Sequence, residues 1–203
     1  MKLASVLLLP VFLAACAGAG VHAPARYHLL EGTAPAAHMT RTAHPGATLL
    51  VAPTTASSFY EAQAIVYSGS PGTRSYYQLN RWTEPPSRRL GALLAERLAR
   101  SGGFDLVAFT GEGVKGTLVL STHLEEMYHD ATSGPGFARI SLTAVLSDPG
   151  QHIVARRRTF TATVPVTTRN AAGAVEGINA ATGNVLDQVV AWVSGESLLA
   201  ASH

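Results

Sequence analysis

The residues best suited to metal binding or proton transfer cluster in one stretch of the chain. This cluster comprises His123, Glu125, Tyr128, His129 and Asp130. Imidazole and carboxylate groups in such proximity can hold a metal ion or exchange a proton with a substrate. If the stretch is a strand, its period of two places His123, Glu125 and Met127 on one face, and His129 joins them. The alternative interpretation is the polar, solvent-facing side of a long strand.

Two further motifs have suggestive spacing but lack the context that their chemistry needs. Gly111-x-Gly113-x-x-Gly116 has the spacing of a dinucleotide-binding loop. The residues that follow, from Thr117 to Leu120, are typical of a strand rather than the required helix. We therefore predict a hairpin turn there. Ser68-Gly-Ser-Pro-Gly72 likewise lacks the frame of a serine nucleophile elbow and its following helix. We expect no catalytic residue, no bound cofactor and no metal site.

The N-terminus has the anatomy of a secretory signal that ends at the single cysteine. Lys2 supplies a positive start, an apolar run extends to Leu13, and small residues precede Cys16. The run is shorter than the roughly 20 apolar residues that span a bilayer. Leu13-Ala14-Ala15-Cys16 resembles the bacterial lipobox, which implies that Cys16 is lipidated and becomes the first mature residue. The alternative is an ordinary signal peptide that contains a cysteine, or a buried core thiol.

The residue after the cysteine bears on the destination of the protein. In lipoproteins of this type an Asp at that position favours retention in the inner membrane, whereas this chain has Ala17. We therefore expect an anchor in the outer membrane, with the folded part facing the periplasm. A single acyl chain binds a membrane only reversibly, so the several chains of such a lipoprotein make dissociation negligible.

Composition is typical of a globular protein with one domain. The 203 residues are 47% hydrophobic and 14% charged, which excludes a wholly disordered chain. A formal net charge of +2 is too small to indicate nucleic-acid binding. The single cysteine excludes an intrachain disulfide and argues against a cysteine-based zinc site.

Hydrophobic periodicity predicts an α+β fold. Leucines recur at helical spacing between Pro86 and Gly102, and a second amphipathic helix is predicted over 171–193. Predicted strands cover 27–30, 48–52, 64–67, 75–80, 104–109, 117–130, 137–148 and 153–164. We expect a single domain in which a largely antiparallel or mixed sheet carries both helices on one face.

The predicted boundaries follow from these patterns. They are a signal peptide over 1–15, the lipidated cysteine and a flexible tether over 16–25, the folded domain over 26–194 and a loose tail over 195–203. At least one of the last three strands should lie at a sheet edge, where unpaired backbone invites association with another chain.

A stretch rich in arginine and aromatic residues is the candidate interaction surface. Residues 74–100 carry six arginines against two glutamates, a balance that suits anionic head groups or an acidic partner, although a solvated helix face is the favoured interpretation. Aromatic residues within 57–82 are of the kind enriched at interfaces. The candidate interface residues are Phe59, Tyr60, Arg74, Tyr77, Arg81, Trp82, Arg88 and Arg89. For Trp82 the alternative is a buried position between the strand and the following helix.

The same stretch carries a family resemblance. Residues 63–67, Tyr77 and the run Arg81-Trp82-Thr83-Glu84-Pro85-Pro86 ahead of an amphipathic helix resemble the ABC-type transport auxiliary lipoprotein family. The opening Tyr27-His28-Leu29 and the closing helix with Trp192 are similar to that family too. The resemblance therefore covers most of the mature chain, and Arg-Trp-x-x-Pro-Pro is its most specific part.

The resemblance implies a non-enzymatic component of an MCE-type (mammalian-cell-entry) lipid transport system, anchored at the outer membrane. In such a system a permease and an ATPase drive lipid movement, and the lipoprotein accompanies an MCE protein. We expect docking on that partner, or self-association, through residues 57–82. Two other functions stay open: a lipid-binding carrier, which needs a concave apolar cavity, and a cell-envelope hydrolase.

The lipobox interpretation predicts that anchoring depends on the Cys16 thiol. Cys16→Ser should lower the fraction of the protein in the outer membrane at least tenfold, because no acyl chain can be attached and the protein becomes soluble or stays uncleaved. Fractionation of cell envelopes measures this, with Ala19→Ser as a control that keeps the cysteine. A Cys16→Ser protein that still fractionates with the outer membrane at the wild-type level would contradict the interpretation.

Overall fold

One long strand organises the sheet. The computed structural model describes residues 24–33, 44–150 and 156–195, so the predicted signal peptide with Cys16 and most of the predicted tail lie outside the described residues. The strands are β1 (Arg26–His28), β2 (His44–Val51), β3 (Thr55–Ala56), β4 (Ala64–Ser68), β5 (Ser75–Trp82), β6 (Phe104–Phe109), β7 (Leu118–Asp130), β8 (Phe137–Ser147) and β9 (Arg156–Pro165). The helices are α1 (Pro86–Ser101) and α2 (Ala171–Gly195).

Strand β7 has hydrogen-bonded neighbours along both of its edges. On one side it pairs antiparallel with β8 from Val119 to Asp130. On the other side β2, β3 and β4 pair with it in parallel, at its beginning, middle and end. Strand β9 continues the sheet beyond β8, β6 lies beyond β2, and β5 and β1 lie beyond β4. The sheet is therefore mixed, and within the described residues β9, β6 and β1 are its edge strands.

Both helices pack on the same face of this sheet. Helix α2 packs on β8 and β9, α1 packs on β6 and β3, and the two helices contact each other. Alternate residues of the central strands, such as Leu120 and Leu142, are fully buried in this layer. A Cβ on Gly177 would come within 3.0 Å of Ala138 Cβ and Val166 Cγ2, so the glycine lets α2 approach the sheet closely. The predicted α+β domain with both helices on one face is confirmed.

Helix α1 begins and ends where its local signals predict. Pro86 occupies the first helical turn, and Gly102 ends the helix with a φ of +66°. Arg97 departs from the expected solvent-facing side: its guanidinium binds the Asp187 carboxylate of α2 and the carbonyl of Gly32, and its side chain is largely buried. This arginine therefore joins α1, α2 and the N-terminal segment.

The predicted hairpin at Gly111–Gly116 is wrong. In the described part of the chain β6 and β7 do not pair with each other, because each lies parallel to β2 on opposite sides of it. The connection therefore crosses one face of β2. There Gly116 lies so close to the Leu50 side chain that a Cβ would overlap it. Glycines suit either kind of tight connection, so their spacing alone does not distinguish a hairpin from a crossing.

Gly136, in the turn between β7 and β8, is required for two reasons at once. Its φ is +82°, and a Cβ would overlap the carbonyl oxygen of Asp130. Gly136→Ala should lower the free energy of unfolding by several kcal/mol. Gly134→Ala is the matched control, because its φ is +53° but nothing lies within 4 Å of the added Cβ. The control should cost about 1–2 kcal/mol. Chemical denaturation measures both variants, and equal losses would argue against the Asp130 contact.

Candidate interaction surface

The opposite face of the sheet, here called the helix-free face, is covered by neither α1 nor α2. Large apolar side chains that are more than a third exposed are Tyr27, Leu29, Tyr76, Leu79, Leu106, Val114 and Phe137. Strand alternation places Tyr76 and Phe137 on the helix-free face, because their neighbours Tyr77 and Ala138 face the helix side. Exposed apolar groups gathered on one face are typical of an interaction surface.

Phe59 and Tyr76 form the main aromatic part of this face. Their rings stack with centroids 4.7 Å apart and planes 15° apart. Tyr60 contacts Phe59 edge-on at 5.8 Å but is itself buried. Burial raises the pKa of the Tyr60 phenol, so its hydroxyl stays protonated at neutral pH. Of these two predicted interface residues, Tyr60 belongs to the core, while Phe59 is half-buried and packs against the core beneath the exposed Tyr76 ring.

Arg74 is held in place by contacts on every side. Its Nε donates to the Tyr60 hydroxyl at 3.1 Å, and its Nη2 donates to Glu126 Oε1 at 2.9 Å. The guanidinium also lies 3.7 Å from the ring centroid of Tyr128. Charge-assisted hydrogen bonds and cation–π contact together fix such a side chain. Arg74 therefore joins β5 to β7 and offers little free charge to a partner.

Phe137 is a second exposed aromatic group on the helix-free face. The guanidinium of Arg139 lies 5.8 Å from the Phe137 ring centroid, and its Nε donates to Asp130 Oδ2 at 2.8 Å. Hydrogen bonds from Thr132 and then from Arg139 hold the pKa of Asp130 below its ordinary value. The carboxylate is thus charged at neutral pH and keeps the arginine beside the exposed ring.

Of the remaining predicted interface residues, some are buried or engaged within the chain and others are exposed to solvent. Trp82 is only 2% exposed, as the core alternative for this residue requires. Arg89 Nε donates to the carbonyl of Leu30 at 2.9 Å. Arg88 is 82% exposed, and its Nε lies 3.6 Å from Glu84 Oε2. Arg81 is exposed. Of the four predicted interface arginines, Arg81 and Arg88 therefore present their charge to solvent.

A β-bulge separates the predicted acid–base cluster. The β7–β8 register shifts after Leu124, which interrupts the strand period at Glu125. His123 and Glu125 lie on the helix-free face, whereas Met127 and His129 are buried on the helix side. The prediction that these residues share one face is therefore wrong. Among the described residues, no group of three or more histidine, cysteine, aspartate or glutamate side chains is placed to hold a metal ion.

His123 is surrounded by hydroxyl groups. Its Nδ1 lies 2.7 Å from Thr55 Oγ1, and its Nε2 lies 3.4 Å from Ser57 Oγ. Glu125 Oε1 accepts a hydrogen bond of 3.0 Å from Thr143 Oγ1. These contacts join the β3 segment to β7 and β8, so they form a polar network that supports the sheet.

Tyr77 supports the sheet from the helix side. The carbonyl of Pro135 lies 2.6 Å from His129 Nε2 and can only accept, so Nε2 carries the proton. Nδ1 then accepts from the Tyr77 hydroxyl at 2.7 Å. Burial raises the pKa of the Tyr77 phenol and keeps this donor protonated. Tyr77, a predicted interface residue, is thus engaged within the chain.

A groove of about 400 Å³ lies beside the N-terminal half of α1. Its lining is mostly apolar and comprises Pro53, Thr54, Ser87, Arg88, Gly91, Ala92 and Phe109. The volume falls at the lower end of the range of about 300–1,000 Å³ for ligand pockets. A Cβ on Gly91 would come within 3.1 Å of Thr54 Oγ1, so the glycine lets α1 approach the strand connection.

A mixed sheet with both helices on one face and an aromatic opposite face defines an α+β domain suited to interaction. The chain belongs to the family described as the ABC-type transport auxiliary lipoprotein component, which it matches over residues 27–190. It is therefore a cell-envelope lipoprotein of a transport system, and the predicted family is confirmed. No helix in the described ranges is long and apolar enough to cross a membrane.

Solved structures share the fold. A Xanthomonas campestris protein with the family designation DUF330 is similar at 21% identity and a TM-score of 0.69, over 83% of this chain and 95% of that one. An uncharacterized protein is similar at 15% identity and a TM-score of 0.62, over 85% of this chain and 97% of that one. At these identities the likeness shows the fold alone. No curated protein matches the chain in sequence.

The surface includes residues that the sequence prediction left out. Tyr128 and Glu126 contact Arg74 from a position 52 or more residues away, and no local pattern indicates such a pairing. Phe137 is an exposed aromatic residue directly after the Ser-Gly-Pro-Gly turn, which is a usable signal. The exposure of Leu79 could not be recognised from strand alternation, because the β4–β5 register shifts and the shift changes which face the residues beyond it occupy.

The burial of Trp82 predicts a large effect on stability. Trp82→Ala should lower the free energy of unfolding by about 3–5 kcal/mol, because it leaves a cavity in the core. Tyr76→Ala, on the same strand but 42% exposed, should cost about 1 kcal/mol. Denaturant unfolding of both variants measures the difference. A Trp82→Ala variant that unfolds at the same denaturant concentration as the wild type would contradict the core position and favour an interface role for Trp82.

Proposed function

We propose that this lipoprotein is anchored in the outer membrane through Cys16, faces the periplasm and docks an MCE-type protein of an ABC lipid transport system. The observation that carries the proposal is the family match from residue 27, which begins eleven residues after the lipobox cysteine. The anchor and the family domain thus follow each other directly along the chain. Ala17 in place of Asp supports the outer-membrane destination.

The helix-free face is the part of the domain that suits docking. The exposed Tyr76 ring stacks there on the half-buried Phe59, and aromatic rings are among the side chains that most often dominate the binding energy of an interface. The Arg74 contacts hold the surrounding residues in position before a partner arrives, which lowers the entropic cost of binding. The exposed arginines Arg81 and Arg88 supply charge that steers an acidic partner.

The proposed role is non-enzymatic and uses no cofactor beyond the covalent lipid. The side chains with acid–base chemistry are engaged in contacts that support the sheet. His129 is fully buried between Tyr77 and Pro135, and His123 contacts Thr55 and Ser57 although its side chain is 38% exposed. These arrangements are those of structural histidines in a sheet.

A lipid-binding carrier is the second candidate function, and the groove beside α1 favours it. An apolar lining with Arg88 at its edge suits an acyl chain with an anionic head group. Lipid that co-purifies with the protein, and is lost on Ala92→Trp substitution in the groove, would favour the carrier over the docking role.

The docking proposal predicts that Tyr76 matters for binding more than for folding. Tyr76→Ala should weaken recovery of the MCE-type protein in affinity purification from native membranes about tenfold, as for an aromatic group central to an interface. Gln78→Ala, also exposed on β5, is the matched control and should bind as the wild type does. Raising the salt concentration should weaken binding in the wild type, because exposed charges are screened.

Three outcomes of this affinity purification would argue against docking through the helix-free face. The first is a Tyr76→Ala variant that recovers the partner at the wild-type level. The second is equal loss in the Gln78→Ala control, which would indicate a general disturbance of β5. The third is the absence of any MCE-type protein from the wild-type sample at low and high salt.

A further inference from the structure

The first described segment of the chain is held to the domain by side chains from three elements. His28 Nε2 lies 2.9 Å from Asn80 Oδ1 of β5. Arg89 and Arg97 of α1 donate to the carbonyls of residues 30 and 32. Asn179 of α2 is buried, accepts from the backbone N–H of residue 31 at 2.8 Å and donates to the carbonyl of residue 29 at 3.3 Å. Residues 26–32 therefore have a fixed orientation relative to the sheet.

This fixed orientation displays apolar side chains to solvent. Leu30 points into the core and is 2% exposed, whereas Tyr27 and Leu29 are 61% and 56% exposed. Leu79 of the neighbouring strand is 46% exposed and lies diagonal to Tyr27, since Arg26 pairs with Asn80. Arg81 lies directly opposite Tyr27. We call Tyr27, Leu29, Leu79 and Arg81 the N-terminal edge patch.

The patch lies close in sequence to the proposed anchor. Eight residue steps separate Cys16 from Pro24, where the described chain begins, and they reach at most about 29 Å. A domain of this size is about 40 Å across. The tether is thus shorter than the domain, so the β1 edge cannot lie on the side of the domain farthest from the membrane, and the tether lets it reach the membrane surface.

The composition of the patch matches a membrane–water interface. Tyrosine is enriched at the level of lipid head groups, and arginine there is attracted to anionic lipids. Within residues 24–33, 44–150 and 156–195 no ion pair involves Arg81, so its charge is available. Glu31 is the exposed acidic neighbour and limits the local positive charge.

We propose that the N-terminal edge patch rests on the anionic head groups of the membrane that holds Cys16. The proposal depends on the anchoring part of the proposed function. Within the described ranges β1 is an edge strand, and backbone groups at a sheet edge need water, which restricts the contact to the hydrated head-group layer. Tyr76 and Arg81 lie toward opposite ends of β5, so the patch and the stacked Phe59 and Tyr76 rings occupy different positions along this strand.

A fluorescent probe on the lipidated full-length mature protein tests this contact. Lipidation blocks Cys16, so Leu29→Cys provides a single labelling site. Val114→Cys is the matched control, because Val114 is also exposed and lies in the β6–β7 connection at the opposite side of the sheet. Each protein is placed in vesicles of phosphatidylethanolamine and phosphatidylglycerol at a ratio of about 3:1, with a nitroxide-labelled head group as quencher. Mass spectrometry of the same sample reports the lipid on Cys16.

We expect quenching at position 29 to exceed quenching at position 114 at least threefold. It should fall at least twofold when phosphatidylglycerol is replaced by phosphatidylcholine, or when Tyr27→Ser and Arg81→Ser are added with unchanged thermal unfolding. Equal quenching at both positions in lipidated protein overturns the patch contact alone. A probe at position 29 that is shielded from the quencher only at high protein density, and loses this shielding when the protein is diluted in the vesicles, assigns the patch to a second copy. That outcome also overturns the contact with the membrane. Absence of lipid on Cys16 overturns the anchor and, with it, this inference.

Discussion

The pairing of β7 along both edges sets the position of every other strand. Because β8 occupies one edge and β2, β3 and β4 share the other, the helices have only the two faces of the sheet on which to pack. Both use the same face, where alternate residues of β7 and β8 are fully buried. The other face must then be stabilised without a helix, by contacts among its own side chains.

Those contacts engage charged side chains whose residue types alone would make them candidates for binding a ligand or partner. Arg74 is shared among Tyr60, Glu126 and Tyr128, and Arg139 is paired with Asp130. Beside these contacts the aromatic side chains of Tyr76 and Phe137 stay exposed. Exposed aromatic rings beside side chains held by hydrogen bonds are typical of surfaces that recognise another protein.

The two exposed regions of the domain suit two different tasks. The docking surface around Phe59 and Tyr76 and the N-terminal edge patch lie toward opposite ends of β5. We propose the first region for contact with a partner protein and the second for contact with the membrane. The buried Asn179 and the arginines of α1 fix the N-terminal edge patch, and the Arg74 contacts fix the residues around Tyr60 and Glu126.

The sequence by itself determined the elements whose signals are local. Proline at the start and glycine at the end bound α1, alternation and turn glycines marked the β7–β8 pair, and the Arg-Trp-x-x-Pro-Pro element indicated the family. Tertiary structure alone decided that β6 and β7 flank β2, that a bulge moves His129 to the other face and that Arg74 is engaged by β7. These depend on which strands meet across long stretches of chain, and a one-residue shift in register exchanges the two faces of a strand, which no local pattern of residue types records.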